Sequence, residues 1–390
     1  MGSSFSQTKL EMSASSENDH SGLVITGLGT EWPSVLIRPN DLKDYALKFY
    51  SEVDSWLKTL LKINDQTGIE SRAVVDVWND PRWHFDKPPP AEVIDTVFRV
   101  HGTRLAKAAA LNALHDAGID ATSITHIVSV TATNSGSPGY DQLVARELGI
   151  PETTERVLLN GIGCAGGLAA LRVASDLATA ATYRGQKARV LVVACEICSI
   201  HIRAELHAAS ESNTIGIGPA LFSDGASALV LCNSHALSHT TPRRFAVVDW
   251  STHIVPGTDQ EMSYNVTSHG FQLSLSKNVP ALASTAVKGP IQNMAMKNDD
   301  MNPVPQSEFD WALHPGGSAI ITGVQKSLSL PDRALIATNE IYKTRGNTSS
   351  VSVLAVLDKI RSLEDRRKNV IACSFGPGLT VEMVHLKQYL

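Results

Sequence analysis

The chain has 390 residues, 43% of them hydrophobic, enough to bury a large core divided into two domains or two fused halves. A net charge of -5 with no basic cluster argues against nucleic acid or an anionic membrane surface as partner. No apolar run is long enough to span a bilayer and no basic-then-apolar signal opens the chain, so a soluble, cytoplasmic protein is expected. Five cysteines (Cys164, Cys195, Cys198, Cys232 and Cys373), odd in number, fit a reduced compartment.

Residues 1–20 are polar and Ser-rich and are expected to form a disordered leader. Its opening, Met1-Gly2-Ser3-Ser4-Phe5-Ser6, fits the N-myristoylation pattern, but nothing beside it supplies a second anchor, so no stable membrane insertion is expected. A first strand is predicted over residues 23–29. An amphipathic helix follows over 41–62, with Leu42, Tyr45, Phe49, Val53 and Trp56 at three-and-four spacing. A Pro-rich stretch at 81–90 breaks regular structure before a helix over 91–117. A buried strand at 125–131, a Gly/Ser/Pro loop and a short helix at 140–148 come next.

The apolar strand 157–159 then gives way to the bend Gly161-Ile162-Gly163 and an Ala/Leu-rich helix running to residue 183. Strand 189–195 does not alternate and so is buried on both faces. Another strand follows at 228–232, and the polar segment 233–242 connects two halves. The second half repeats the pattern: strands at 245–250 and 311–313, a helix at 318–328, and a helix at 351–361 opened by Gly346-Asn347-Thr348-Ser349-Ser350. Strands at 370–375 and 379–386 complete it. We read an internal duplication, with residues 21–235 and 236–390 as its halves, in a layered α/β architecture.

Cys164 opens this Ala/Leu-rich helix, where free backbone N–H groups and the helix dipole favour a thiolate; a small buried core residue is the plainer alternative. His314 ends a strand in Leu313-His314-Pro315-Gly316-Gly317, a position for a general base or a thiolate's ion-pair partner. Asn347 starts a helix and could donate its amide or simply cap. As a set, Cys, His and an amide donor can attack a thioester and hold the oxyanion that develops. Cys195 and Cys198, with His201 and His207 nearby, have metal-site spacing, but Cys195 lies within a buried strand and no second CxxC appears, so no metal is expected. Cys373 is read as core.

Five blocks carry a resemblance: Gly163-Cys164-Ala165-Gly166-Gly167, Phe222-Ser223-Asp224-Gly225-Ala226, His314-Pro315-Gly316-Gly317, Gly346-Asn347, and Ser374 through Glu382 (SFGPGLTVE). In this order they resemble the signature blocks of type III polyketide synthases, the chalcone synthase superfamily, over about residues 22–388. The resemblance implies a thiolase fold with a layered αβαβα core and a homodimer. It implies a Cys164–His314–Asn347 triad acting on acyl-CoA and malonyl-CoA, with no cofactor besides these thioester substrates. It further implies that Cys164 carries the acyl chain, that His314 and Asn347 hold the malonyl thioester oxygen, and that Phe222 and Phe271 stand between CoA tunnel and cavity. The Gly376-Pro377-Gly378 loop would support cyclisation.

Departures from the plant pattern are Cys198 and His201 in the cavity wall, Met262 where the family has a small residue, and Ser137 in place of a Met that crosses the dimer. Ser349 joins these as a cavity residue. Glu70 and Ser71 replace basic residues of the CoA-binding segment, leaving Lys62 and Arg72 as candidates for phosphate contact. The set is most similar to fungal members that use fatty acyl-CoA starters to make alkyl or acyl pyrones or resorcinols. A ketoacyl synthase III-like enzyme making one condensation, and a catalytically idle thiolase-fold dimer used as a scaffold, are the alternatives.

Overall fold

The computed structural model describes residues 22–297 and 305–390; the polar leader and Gly2 lie outside the described residues. In chain order the strands are β1 (Leu23–Glu31), β2 (Val35–Ile37), β3 (Arg72–Val74), β4 (His126–Val130), β5 (Glu155–Leu159), β6 (Arg189–Ile197) and β7 (Asp224–Asn233). The remaining strands are β8 (Phe245–Ile254), β9 (Met262–Thr267), β10 (Gly270–Leu275), β11 (Asp310–Leu313), β12 (Asn369–Gly376) and β13 (Thr380–Gln388). The first helices are α1 (Pro39–Ala46), α2 (Ser55–Gln66), α3 (Ala91–Ala117), α4 (Tyr140–Leu148), α5 (Gly166–Tyr183) and α6 (Ile202–Ser212). They are followed by α7 (Gly218–Leu221), α8 (Val279–Ala286), α9 (Lys288–Lys297), α10 (Ser318–Leu328), α11 (Ile336–Arg345) and α12 (Ser350–Ile360).

The main sheet has nine strands in the order β5-β4-β6-β7-β1-β8-β13-β12-β11. Its two ends follow one rule. β4 runs parallel to β6, which runs antiparallel to β7, itself antiparallel to β1. Likewise β11 runs parallel to β12, which is antiparallel to β13, itself antiparallel to β8. The two halves meet in the middle of the sheet, where β1 pairs with β8 at Val24–Ala246 and Ile25–Phe245. This is the duplication read from the sequence.

Side-chain parity converts the sheet into layers, because successive residues of a strand point to opposite faces. On β6, Leu191, Val193 and Cys195 pack with α3, whereas Val190, Val192 and Ala194 pack with α5 and α12. On β12, Val370 and Ala372 face the same pair of helices, and Ile371 and Cys373 face α8 and α10. Helices α5 and α12, one from each half, therefore fill the middle layer of an αβαβα stack, as expected. Among the described residues no helix is long and apolar enough to cross a membrane.

One expected helix is two. Residues 41–62 divide into α1 and α2 around a turn in which the Ser51 N–H donates to Asp54 Oδ2 (3.2 Å) and the Asp54 N–H donates to the Ser51 carbonyl (3.1 Å). Asp54 then takes the N-cap position of α2, and Val53, placed on the apolar face by spacing alone, is 75% exposed.

Candidate active site

Cys164 sits in a single 3-10 turn, Gly163–Ala165, that leads straight into α5. Gly163 is required twice over: its φ is +57°, and a Cβ there would lie 2.5 Å from Pro377 Cδ. Gly167 lets the other half approach, since a Cβ on it would come within 2.3 Å of the Ser350 carbonyl at the start of α12. That close crossing brings Asn347 and Ser349 to the sulfur from the second half. His314 arrives at the end of β11, its N–H donating to the Cys373 carbonyl of β12 (2.8 Å).

Asn347 is held by backbone bonds across the two halves. Its N–H donates to the Leu221 carbonyl (3.0 Å), its carbonyl accepts from the Ser223 N–H (2.9 Å), and its Oδ1 accepts from the Ser349 N–H (2.8 Å). Its Nδ2 faces the Gly316 carbonyl at 3.4 Å. Ser349 adopts φ 48°, a strained conformation for a residue with a Cβ, at the cavity wall. Cys164, His314, Asn347 and Ser349 all line one cavity with an empty volume of about 690 Å³ including its mouth. Met262, Tyr264, Leu273 and Leu275, from the β9–β10 hairpin, form much of its apolar wall.

Burial acts on Cys164 and His314 individually. It pushes the Cys164 thiol up to about 12, outweighing the hydrogen bonds of Ser349 and Asn347, which lower it. It pushes His314 down to about 3, and its Nδ1 has no partner. The lowered thiol pKa expected from the helix start alone is therefore overridden by burial. Glu196, which the motifs had not singled out, is the hub beneath the site. Wholly buried, its carboxylate accepts from the Ala132 N–H (3.0 Å), Thr133 Oγ1 (2.9 Å) and Ser350 Oγ (2.5 Å), tying the end of β4 to the start of α12. Its position directly after the apolar run 189–195 was the available signal.

The model of the chalcone and stilbene synthase N-terminal domain matches residues 10–234, and that of the C-terminal domain matches residues 247–389. The chain belongs to the chalcone and stilbene synthase family. It is 39% identical to the type III polyketide synthase pspB of Penicillium soppii, over 94% of this chain and 96% of that one. It is 32% identical to the acylalkylpyrone synthase csyB of Aspergillus oryzae, over 92% of each. The solved structure of a fungal type III polyketide synthase, ORAS, superposes with a TM-score of 0.92 at 34% identity, covering 94% of this chain and all of that one. A structure of CsyB complexed with CoA-SH superposes with a TM-score of 0.90 at 31% identity, covering 94% of this chain and 100% of that one. The present chain is thus a type III polyketide synthase with the thiolase fold, an acyltransferase by class.

Within this synthase the other candidates fall into three groups. Phe222, Cys198, Met262, Ser349 and Pro377 line the cavity, with Gly376 and Gly378 flanking Pro377 in the β12–β13 turn. Phe271 does not line it: its ring stacks on Tyr264 (5.2 Å between centroids), and Leu273, two residues on along the same face of β10, occupies the wall instead. His201 is also behind the wall, one ring nitrogen contacting the Thr133 carbonyl (3.3 Å) and the other accepting from the Phe271 N–H (3.3 Å), so it braces the hairpin.

The expected phosphate contact of Arg72 is corrected. Arg72 is buried, and its guanidinium donates to the carbonyls of Pro219 and Phe222, fixing the backbone of the Phe222 wall rather than facing solvent. Lys62 is exposed on α2 outside the cavity lining.

Proposed function

We propose that this synthase loads an acyl-CoA, with a fatty acyl chain as starter, on Cys164 and extends it with malonyl-CoA. Cys164, its proton passing to His314, attacks the starter thioester carbonyl; CoA leaves and recovers a proton from the imidazolium. His314 and Asn347 then donate to the thioester oxygen of malonyl-CoA as its carboxylate departs as carbon dioxide, holding the negative charge that develops. The resulting enolate attacks the acyl-Cys164 carbonyl, forming the carbon–carbon bond and releasing the Cys164 thiolate. Decarboxylation drives each bond, so the reaction itself requires no metal or redox cofactor.

The observation that carries this reading is the convergence of Cys164, His314 and Asn347 from three separate segments on one apolar cavity. The apolar wall of Met262, Leu273 and Leu275 suits an aliphatic chain, and the likeness to an acylalkylpyrone synthase favours a pyrone or resorcinol-type ring as product. The binding of CoA-SH by the CsyB relative supports free CoA thioesters as substrates. The protein acts as a homodimer in the cytoplasm, with the exposed Ser137 loop at the contact. A sedimentation mass of one chain, 41.9 kDa, would contradict the dimer.

The test is a product profile by mass spectrometry with malonyl-CoA and a ladder of aliphatic and aromatic acyl-CoA starters. Alkyl or acyl pyrones or resorcinols from aliphatic starters are expected. Condensation only with carrier-bound malonyl groups would instead make it a single-step ketoacyl synthase, and none with any partner would make it a scaffold.

A further inference from the structure

Outside the triad, the side chains of Thr133, Ser349 and Tyr264 bring hydroxyl groups to the wall of the catalytic cavity. Two of these are already committed. Thr133 Oγ1 donates to the Glu196 carboxylate (2.9 Å), and the Ser349 hydroxyl bonds to the Cys164 sulfur. Tyr264 differs. Its ring is fixed from the hairpin side, stacked on Phe271 (5.2 Å between centroids, 11° between planes) and set edge-on to His201 (6.0 Å). The groups that act on its hydroxyl when ionised are Cys198, Glu205, Glu196 and Cys164, none of them on the hairpin. The phenol is therefore directed off the hairpin toward the two cavity sulfurs, and among the described residues it forms no hydrogen bond.

A tyrosine hydroxyl in apolar surroundings ordinarily finds a partner, so one left open on a reaction cavity marks a place where substrate completes the bonding. Burial, and then those neighbouring groups, hold the phenol well above its ordinary value of 10. At neutral pH it is thus a donor and not a base, and it calls for a neutral acceptor oxygen.

The chemistry of extension supplies that oxygen. A plain aliphatic starter has none beyond its thioester. Condensation yields a 3-oxoacyl chain on CoA, which returns to Cys164 for the next cycle with a ketone two carbons beyond its thioester carbonyl. Every cycle inserts its new unit at the thioester end, so a ketone comes back to the same distance from the sulfur whatever the length of the tail. Met262, Leu273 and Leu275 offer it nothing, and a ketone moved from water onto such a wall loses its hydrogen bonds. One fixed donor facing Cys164 serves all cycles.

We propose that Tyr264 is a specificity-determining residue whose hydroxyl donates to the 3-oxo oxygen of the chain carried on Cys164, favouring the return of an extended chain over the entry of a fresh plain starter. The inference rests on the polyketide synthase reading above and deepens it, from which starter is loaded to how the intermediate is retained.

The test compares acyl-CoA and 3-oxoacyl-CoA starters of equal carbon number, each with malonyl-CoA, by the ratio of their kcat/KM values in wild type and Tyr264→Phe. The phenylalanine keeps the ring that stacks on Phe271 and removes only the hydroxyl. Wild type should prefer the 3-oxo starter by about tenfold or more. Tyr264→Phe should lose most of that preference, chiefly through KM for the 3-oxo starter, and from a plain starter it should release products containing fewer malonyl units. Equal use of both starters by wild type, which is read without any variant, overturns the proposal. So does a preference that Tyr264→Phe leaves intact, or a loss that falls on both starters alike. Product formed equally from both starters leaves the polyketide synthase reading standing, whereas no product from either removes both.

Discussion

Cys164 and His314 are each pushed by burial toward their neutral forms, yet acyl transfer calls for a thiolate beside an imidazolium. Moving the proton from sulfur to imidazole creates two opposite charges side by side, whose attraction offsets the loss of water around each. In the proposed reaction His314 is what makes the thiolate accessible at neutral pH. Without it the thiol keeps its burial, only partly offset by the hydrogen bonds of Ser349 and Asn347, and the thiolate fraction falls tenfold for each pH unit below about 12. Iodoacetamide should therefore alkylate Cys164 in His314→Ala at least about 100-fold more slowly at pH 7 than in wild type, with the rate still climbing at alkaline pH. Identical rates and pH profiles would show that His314 does not pair with the sulfur. The other four cysteines are buried and should lag behind Cys164 in the native wild type.

The crossing of α5 and α12 is the contact on which the site depends, and it passes through Gly167. Gly167→Ala would place a methyl 2.3 Å from the Ser350 carbonyl, a backbone atom that cannot step aside alone. About 1–3 kcal/mol of stability should be lost, and malonyl-CoA decarboxylation should fall with the displaced Asn347. A variant with wild-type melting temperature and rate would contradict this. The hairpin wall has its own dependence on pH through His201, which accepts from the Phe271 N–H and must therefore be neutral. Burial lowers it from 6.5 to about 4. Between those values the unfolded chain binds a proton that the folded chain refuses, so stability falls as pH drops from 6.5 toward 4, by up to about 3 kcal/mol. His201→Gln, which can donate and accept without titrating, should lose less on acidification from pH 7 to 5 in urea denaturation. Equal losses would sink the assignment.

These elements also show what could be read in advance. That Cys164, His314 and Asn347 would meet at one cavity was legible because each sits where a Gly bend, a strand end or a helix start coincides with a family block. The hairpin was not. Its strands mix polar residues with Tyr264 and Leu273, which face a cavity rather than a core, and Val266 is 76% exposed, so neither strand alternates cleanly. Misplacing the second aromatic at Phe271, where Leu273 stands, follows from that. Arg72 was misread for another reason: a basic residue beside a surface segment gives no local sign that its guanidinium turns inward to carbonyls.

At the scale of the molecule, two copies of one strand plan are joined through β1 and β8, and each copy is incomplete as chemistry. The first half supplies the sulfur at the start of α5; the second supplies the imidazole and the amide at the end of β11 and before α12. In the proposed reaction this junction forms an acyl-enzyme on Cys164. The most direct measurement is peptide mass spectrometry after incubation with an aliphatic acyl-CoA and no malonyl-CoA. Trypsin should release residues 157–172, between Arg156 and Arg172, with Cys164 as its one cysteine. That peptide should carry the mass of the acyl group, and the mark should vanish in Cys164→Ala. An unmodified peptide under conditions in which malonyl-CoA addition yields product, or acyl groups found on other cysteines instead, would contradict it.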